Sequence, residues 1–302
     1  MASADSPIPY LERIRTYYQA LGYGAPYVWA KFDHVPFQPL TKPLAACRMA
    51  LVTTAAPYQP GKGDQGPGAP YNASAKFYGV YDGETAADPD LRISHVAIDR
   101  AHTTAGDQNS YFPLPALRKA VIDGRIGALT PSFFGLPTNR SQRTTMDIDC
   151  PDLVSRCRRE SADVAILVPN CPVCHQSVAL AAHALEEAGI ATVIMGCARD
   201  IIEHIGVPRF LFSDFPLGNG AGRPHDVQSQ DRTLDLALDL LRTADHPRTT
   251  QQSPLRWADD DSWKDDYCNI GKLSREEISR RRAEFDRGKE TAQALRDATK
   301  AR

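Results

Sequence analysis

Short apolar runs alternate along this chain with longer segments of helical composition. Arg48-Met49-Ala50-Leu51-Val52-Thr53-Thr54-Ala55 and Ala162-Asp163-Val164-Ala165-Ile166-Leu167-Val168-Pro169 are too short and too β-branched or aliphatic for core helices. They predict strands buried on both faces. The same reasoning predicts strands over 91–99, 125–129, 191–195 and 209–215. Helices are predicted over 9–21 (stopping at Gly22), 113–124, 152–160, 176–189, 199–205 and 227–242. Strands alternating with helices give an α/β fold: a mostly parallel sheet with helices on both faces, of the Rossmann or flavodoxin kind. No internal repeat is evident.

Three further regions frame that body. Residues 1–46 are rich in Tyr, Pro and Trp and read as an N-terminal arm. Residues 47–246 make the α/β catalytic domain, interrupted over 57–90 by a long Gly/Pro-rich connection whose length suits a lid or a partner-binding arm. From 247 to 302 the composition shifts to charge. There Ser274-Arg275-Glu276-Glu277 is a capping-box pattern opening a helix to about 299, polar all round and suited to solvent or an interface.

Charge narrows the function classes. With 35 Lys+Arg against 37 Asp+Glu in 302 residues, nothing calls for a nucleic-acid or membrane-surface partner. No apolar stretch is long enough to span a bilayer, and the N-terminus lacks the pattern of a secretory signal, so a cytoplasmic location is expected. The seven cysteines, an odd number, then read as reduced thiols. No glycine fingerprint follows a predicted strand, which argues against a tightly bound nicotinamide cofactor.

Within this pattern, Cys171-Pro172-Val173-Cys174-His175 stands at the carboxyl edge of a buried strand and on the first turn of a helix. Unpaired N–H groups and the helix dipole favour an anion there, so at least one of the two thiols is expected to ionise easily. The functional reading is a dithiol redox centre. Cys171 attacks as thiolate, Cys174 resolves the adduct, His175 moves a proton, and a thioredoxin-like donor reduces the resulting disulfide. That reading needs no cofactor beyond a thiol reductant. Two buried structural cysteines are the plain alternative. The haem-attachment pattern Cys-x-x-Cys-His is a weak one, since the motif abuts a buried strand.

Metal binding is the stronger rival. His95, Asp99 and His102 follow one predicted strand end, and Cys171 and Cys174 follow another. Together they offer a set suited to zinc or iron. A thiol-based sensor or binding protein for a metal or electrophile is a third reading. Substrate-binding candidates are Asp107 and Asn109, which could equally cap a helix, with Gly218 and Asn219 of a Gly-rich loop and Arg223 beside it. Because ligands bind outside the carboxyl ends of such sheets, these groups are expected to converge on one rim. The cluster Tyr17, Tyr18, Tyr23, Tyr27 and Trp29 reads as core packing or a homodimer contact.

These residues carry a resemblance. Asn170-Cys171-Pro172-Val173-Cys174-His175-Gln176-Ser177 resembles the redox motif of the glycine/sarcosine/betaine and D-proline reductase selenoprotein B family, and Phe215-Pro216-Leu217-Gly218-Asn219 resembles its Pro-Leu-Gly-Asn loop. Ile93-Ser94-His95 and Asp107-Gln108-Asn109-Ser110-Tyr111-Phe112-Pro113 resemble the proline-reductase branch, and Tyr10-Leu11-Glu12-Arg13 and Lys42-Pro43-Leu44 fit too. The resemblance spans roughly 8–270. It implies a reductase acting on a small, amino-acid-derived substrate, with Cys171 at the position that is selenocysteine in selenium-containing relatives. Cysteine there is a weaker nucleophile. Such reductases work with a pyruvoyl-bearing subunit that activates the substrate, and no processing site for that group is evident in this chain.

Overall fold

The computed structural model describes residues 6–300. Its strands are β1 (Arg48–Thr53), β2 (Ala56–Pro57), β3 (Tyr81–Glu84), β4 (Leu91–Arg92), β5 (Ala128–Leu129), β6 (Ser132–Gly135), β7 (Val164–Val168), β8 (Ala191–Gly196), β9 (Arg209–Phe212) and β10 (Thr249–Gln252). Its α-helices are α1 (Tyr10–Ala20), α2 (Leu114–Ile122), α3 (Gln142–Thr144), α4 (Cys150–Arg159), α5 (Pro172–Glu187), α6 (Arg199–Ile205), α7 (Val227–Thr243) and α8 (Arg275–Lys300).

The main sheet runs β10-β9-β8-β7-β1-β6-β3, with β5 also on β1 beside its first residues. Every pairing in it is parallel except β3 with β6. Strand residues alternate between two apolar layers. Ala50, Val52, Ala165 and Leu167 face the side of α4, α5 and α6, whereas Met49, Leu51, Ile166 and Val168 face that of α2 and α7. Helices thus cover both faces, as the apolar runs predicted.

Chain direction reverses at the middle. From β1 the chain moves on to strands on the β6 side, whereas from β7 it moves through α5 to β8 on the other. The carboxyl ends of β1 and β7 therefore lie at a topological switch point, the kind of place where open α/β sheets bind ligands. Across it, Asn170 donates from its backbone N–H and from Nδ2 to Thr54 Oγ1, both at 3.1 Å.

Four differences from the sequence reading have clear causes. The strand expected over 91–99 is only two residues long and pairs with β2, outside the main sheet. Residues 93–107 leave it as irregular chain with turns, followed by a short 3-10 segment (Gln108–Ser110), because Asp99 and Thr103 use local and loop partners in place of a ladder. The edge strands β3 and β10, Tyr81-Asp82-Gly83-Glu84 and Thr249-Thr250-Gln251-Gln252, are too polar to register as buried strands. Strand β6 is four residues set among Pro and Thr.

The arm packs on the chain's own C-terminal helix. Tyr18 and Tyr23 both meet Phe285 of α8 edge-on, at ring separations of 5.4 and 5.1 Å. No described helix is long and apolar enough to cross a membrane.

Candidate functional site

Strand β7 ends at Val168, and Pro169 and Asn170 carry the chain over the sheet edge to Cys171. Cys171 is the N-cap of α5, in extended backbone, and its Sγ accepts the Cys174 N–H at 3.3 Å. Pro172 follows at the first helical position, where its missing N–H is harmless. Cys174 lies one turn along, and its Sγ is 2.6 Å from that of Cys171. The two thiols therefore share the helix start, as the spacing predicted.

Both sulfurs are covered. Cys171 is 3% exposed and Cys174 0%, packed with Ile98 and flanked by Ile93, Ala105 and Val173. The irregular segment 93–106 supplies three of these four residues. It is pinned by polar ties: Asp99 N–H to Leu217 O, Thr103 Oγ1 to Asn219 Oδ1, and Tyr267 Oη to Ala97 O. Arg100 wraps the turn, donating to His95 O, Val96 O and Ala69 O.

The thiols differ electrostatically. Burial raises the Cys171 pKa well above the usual thiol value, helped by the hydrogen bond it gives Cys174 and by the charge there. Burial also opposes ionisation of Cys174, but the hydrogen bond from Cys171, the charge and hydrogen bond of His95 and the Thr138 hydroxyl outweigh it and pull that pKa well below the usual value. At least one easily ionised thiol was expected of the pair, with Cys171 attacking as thiolate; the surroundings instead favour the thiolate on Cys174, because Cys171 hydrogen-bonds to it and His95 and Thr138 face it. Thr138, just past β6, stands 3.1 Å from His95 Nε2 and 3.2 Å from Cys174 Sγ. In a single orientation its hydroxyl accepts from the ring and donates to the sulfur.

His175 is turned away from this chemistry. Its Nδ1–H donates to Cys171 O at 2.8 Å, and its Nε2 accepts from Cys197 N–H at 3.0 Å and Ala198 N–H at 3.1 Å. Both nitrogens are thus spent on backbone, the tautomer is fixed, and burial pushes the ring pKa down to about 4. Gly196 makes room for the imidazole: a Cβ there would lie 2.7 Å from His175 Nε2.

Of the five metal-ligand candidates, His95, Cys171 and Cys174 come together, with ligand atoms all within 4.8 Å of one another. Asp99 and His102 form a separate chain: His102 Nδ1 meets Asp99 at 3.0 Å and Nε2 meets Asp266 at 3.2 Å. The substrate-binding candidates are heavily used by the fold. Asp107 caps a 3-10 turn through Asn109 N–H and accepts from His225 N–H and Gln230 Nε2. Asn219 holds Pro216 O and Thr103, and Arg223 pairs with Asp226. Gly218 comes close to the cover, where a Cβ would contact Ile93, Thr103 and Ile98. The expected convergence of these loops on one rim thus holds for 93–106, 171–174 and 217–219.

Sequence reasoning missed Thr54, Arg100 and Thr138. The signal for Thr138 was available in Phe133-Phe134-Gly135-Leu136-Pro137-Thr138, an apolar run ending in a polar residue, as at the other strand ends. Arg100 could be placed only once its turn was seen.

Comparison with known proteins finds curated relatives of modest identity. The chain is 28% identical over 194 residues to the D-proline reductase subunit gamma of Acetoanaerobium sticklandii, a match covering 64% of this chain and 77% of that protein. It is 25% identical over 226 residues to the glycine reductase complex component B subunit gamma of Symbiobacterium thermophilum, covering 73% of this chain and 52% of the relative. The subunit of the same name from Carboxydothermus hydrogenoformans is 24% identical over 218 residues, 70% of this chain and 49% of the relative. The match thus spans about half the length of these two subunits. No family model and no solved structure matches. The chain is a homologue of reductase gamma subunits, which bears out the resemblance drawn from its motifs.

Proposed function

We propose that this homologue of reductase gamma subunits is the dithiol component of a multi-subunit reductase, with Cys171 and Cys174 as the pair that delivers two electrons to a small, amino-acid-derived substrate. One observation carries the reading: two thiols 2.6 Å apart at a helix start, set at the chain reversal between β1 and β7. The names of the relatives supply the substrate class, amino acids such as proline or glycine, and the expectation of protein partners.

In this cycle the Cys171 sulfur passes its proton to the Cys174 thiolate beside it as it attacks the carbon that bears an amino-type leaving group. A C–S bond forms, the carbon–nitrogen bond breaks, and the amine leaves with a proton. The Cys174 sulfur then attacks Cys171. The S–S bond forms, the C–S bond breaks, and the carbon takes the electron pair and a proton from solvent. Two thiols are oxidised to a disulfide while the substrate gains two electrons, and an external dithiol of the thioredoxin kind restores the pair. A partner subunit that activates the substrate lowers the barrier to the first attack. Thr138 and His95 steady the Cys174 sulfur for the second step. His175 acts as a positioning residue that fixes the Cys171 carbonyl. Asp107, Asn109, Gly218, Asn219 and Arg223 shape the rim. A reducing cytoplasm suits this cycle.

The test combines oxidation with mass analysis. Mild oxidation of the reduced chain should yield one Cys171–Cys174 disulfide on peptide mapping. Cys174→Ser should accumulate a mixed disulfide on Cys171 when challenged with glutathione disulfide, whereas the wild-type chain should resolve it to the Cys171–Cys174 disulfide. A disulfide at other cysteines, or an inert 171–174 peptide in folded protein, refutes the reading.

A further inference from the structure

We propose that His95, Cys171 and Cys174 also form a three-ligand site for Zn²⁺, whose occupancy and the Cys171–Cys174 disulfide exclude one another. The proposal deepens the dithiol reading, because it uses the same reduced pair, but it does not depend on the substrate.

The donor set comes first. Two thiolates and one imidazole are a normal zinc set, and three protein ligands leave a fourth position open. Among the described residues, no other group of three His, Cys, Asp or Glu brings its ligand atoms within such a distance. His95 reaches the sulfurs, since its ring also hydrogen-bonds to Cys174. Its Nε2 is engaged by Thr138 Oγ1 at 3.1 Å, while Nδ1 is buried and has no hydrogen-bond partner. Thr138, which touches both the ring and Cys174 Sγ, is placed to steady these ligands from outside.

Charge favours the ion as well. The walls are Ile93, Ile98, Ala105 and Val173, an apolar lining that penalises two adjacent thiolates. One Zn²⁺ with two thiolates is neutral overall. Binding to the thiol–thiolate form releases one proton to solvent, and no electron moves.

Geometry sets the exclusion. The sulfurs are 2.6 Å apart. Bonds of about 2.3 Å at a tetrahedral angle require two zinc-bound sulfurs about 3.8 Å apart. A disulfide closes them to about 2.0 Å. Rotation of the two cysteine side chains opens or closes the pair, and each state uses both sulfurs. His102 and Asp99 stay outside the site, tied to each other and to Asp266.

The experiment uses the full chain, reduced with a phosphine and freed of metal. Zn²⁺ is titrated in competition with a chromophoric chelator, and Co²⁺ serves as the spectroscopic probe. One equivalent should bind, with thiolate-to-cobalt charge-transfer absorption. Cys171→Ser and Cys174→Ser should remove it, and His95→Ala should weaken it by about tenfold or more, with His95→Gln as the second variant should the alanine protein misfold. Thr138→Val should weaken it by about tenfold through the lost outer contact. Bound Zn²⁺ should also block disulfide formation. Protein that closes the 171–174 disulfide yet binds no Zn²⁺ overturns this proposal and leaves the dithiol reading intact. So does stoichiometric Zn²⁺ retained without both cysteines, or affinity unchanged in both His95 variants. Failure of the disulfide itself overturns the dithiol reading and the exclusion, and leaves the zinc site to stand or fall on the titration.

Discussion

Replacing His175 with leucine separates a structural imidazole from a catalytic one. The ring is fully buried and serves three backbone groups: Cys171 O, Cys197 N–H and Ala198 N–H. Leucine offers none of these partners. Each buried group left unpaired costs about 1–3 kcal/mol. The two amides share one acceptor, so the loss lies toward the low end of the sum, about 3–5 kcal/mol. That is a large part of the roughly 5–15 kcal/mol that holds a domain together. Urea denaturation of the reduced protein should show the midpoint falling by this equivalent, with the slope unchanged. In folded His175→Leu, the pH profile of Cys171 and Cys174 alkylation should keep its shape. A loss below about 1 kcal/mol together with a displaced alkylation profile would falsify the positioning role and return His175 to proton transfer.

Other expectations follow from the same packing. Gly196→Ala should destabilise by about 1–3 kcal/mol, since the new methyl would press on His175 and Pro169; an unchanged melting temperature would count against the close approach. Arg209→Met should cost about 3–5 kcal/mol, because it leaves the Glu186 carboxylate buried without its cation. Restoring neutrality with Glu186→Gln in the same chain should recover part of the loss, and no recovery would argue against a charge effect. Asp149 has its pKa raised to about 6 by burial, so the folded state binds its proton more tightly than the unfolded chain does. Its contribution is present below about pH 4 and is lost as pH rises through about 6. Asp149→Asn should therefore gain on wild type between those limits and hold a constant advantage above them, as read from denaturation midpoints at several pH values.

The strand–helix unit around Cys171 was legible because every local signal agreed: an aliphatic run, a proline at the helix start, an Ala/Leu-rich helix and Gly189 behind it. Helix α6 was read to the residue for the same reason. The cover was not legible. Ile93-Ser94-His95-Val96-Ala97-Ile98 has the alternation of a strand, yet Ala97 and the following Asp99 and Thr103 bond to Tyr267, Leu217 and Asn219, more than a hundred positions away. His102 looked like a ligand beside Asp99 because Asp266, which occupies its other nitrogen, cannot be placed from sequence. His175 was read as a proton carrier because adjacency to Cys174 in the chain says nothing of which way a helical side chain turns. The polar edge strands β3 and β10 escaped because their alternation is written in Thr, Gln, Asp and Glu.

The pinned segment over the sulfurs has a kinetic meaning. With 3% and 0% of Cys171 and Cys174 exposed, no solute reaches them while Asp99, Thr103 and Tyr267 keep their ties. Encounter then waits on how often the stretch from Ile93 to Gly106 swings clear, and that frequency, set by a few hydrogen bonds, caps the rate of every event at the pair. Stray oxidants meet the same closed door as any substrate would, so the same few hydrogen bonds set both the protection of the pair and its reactivity.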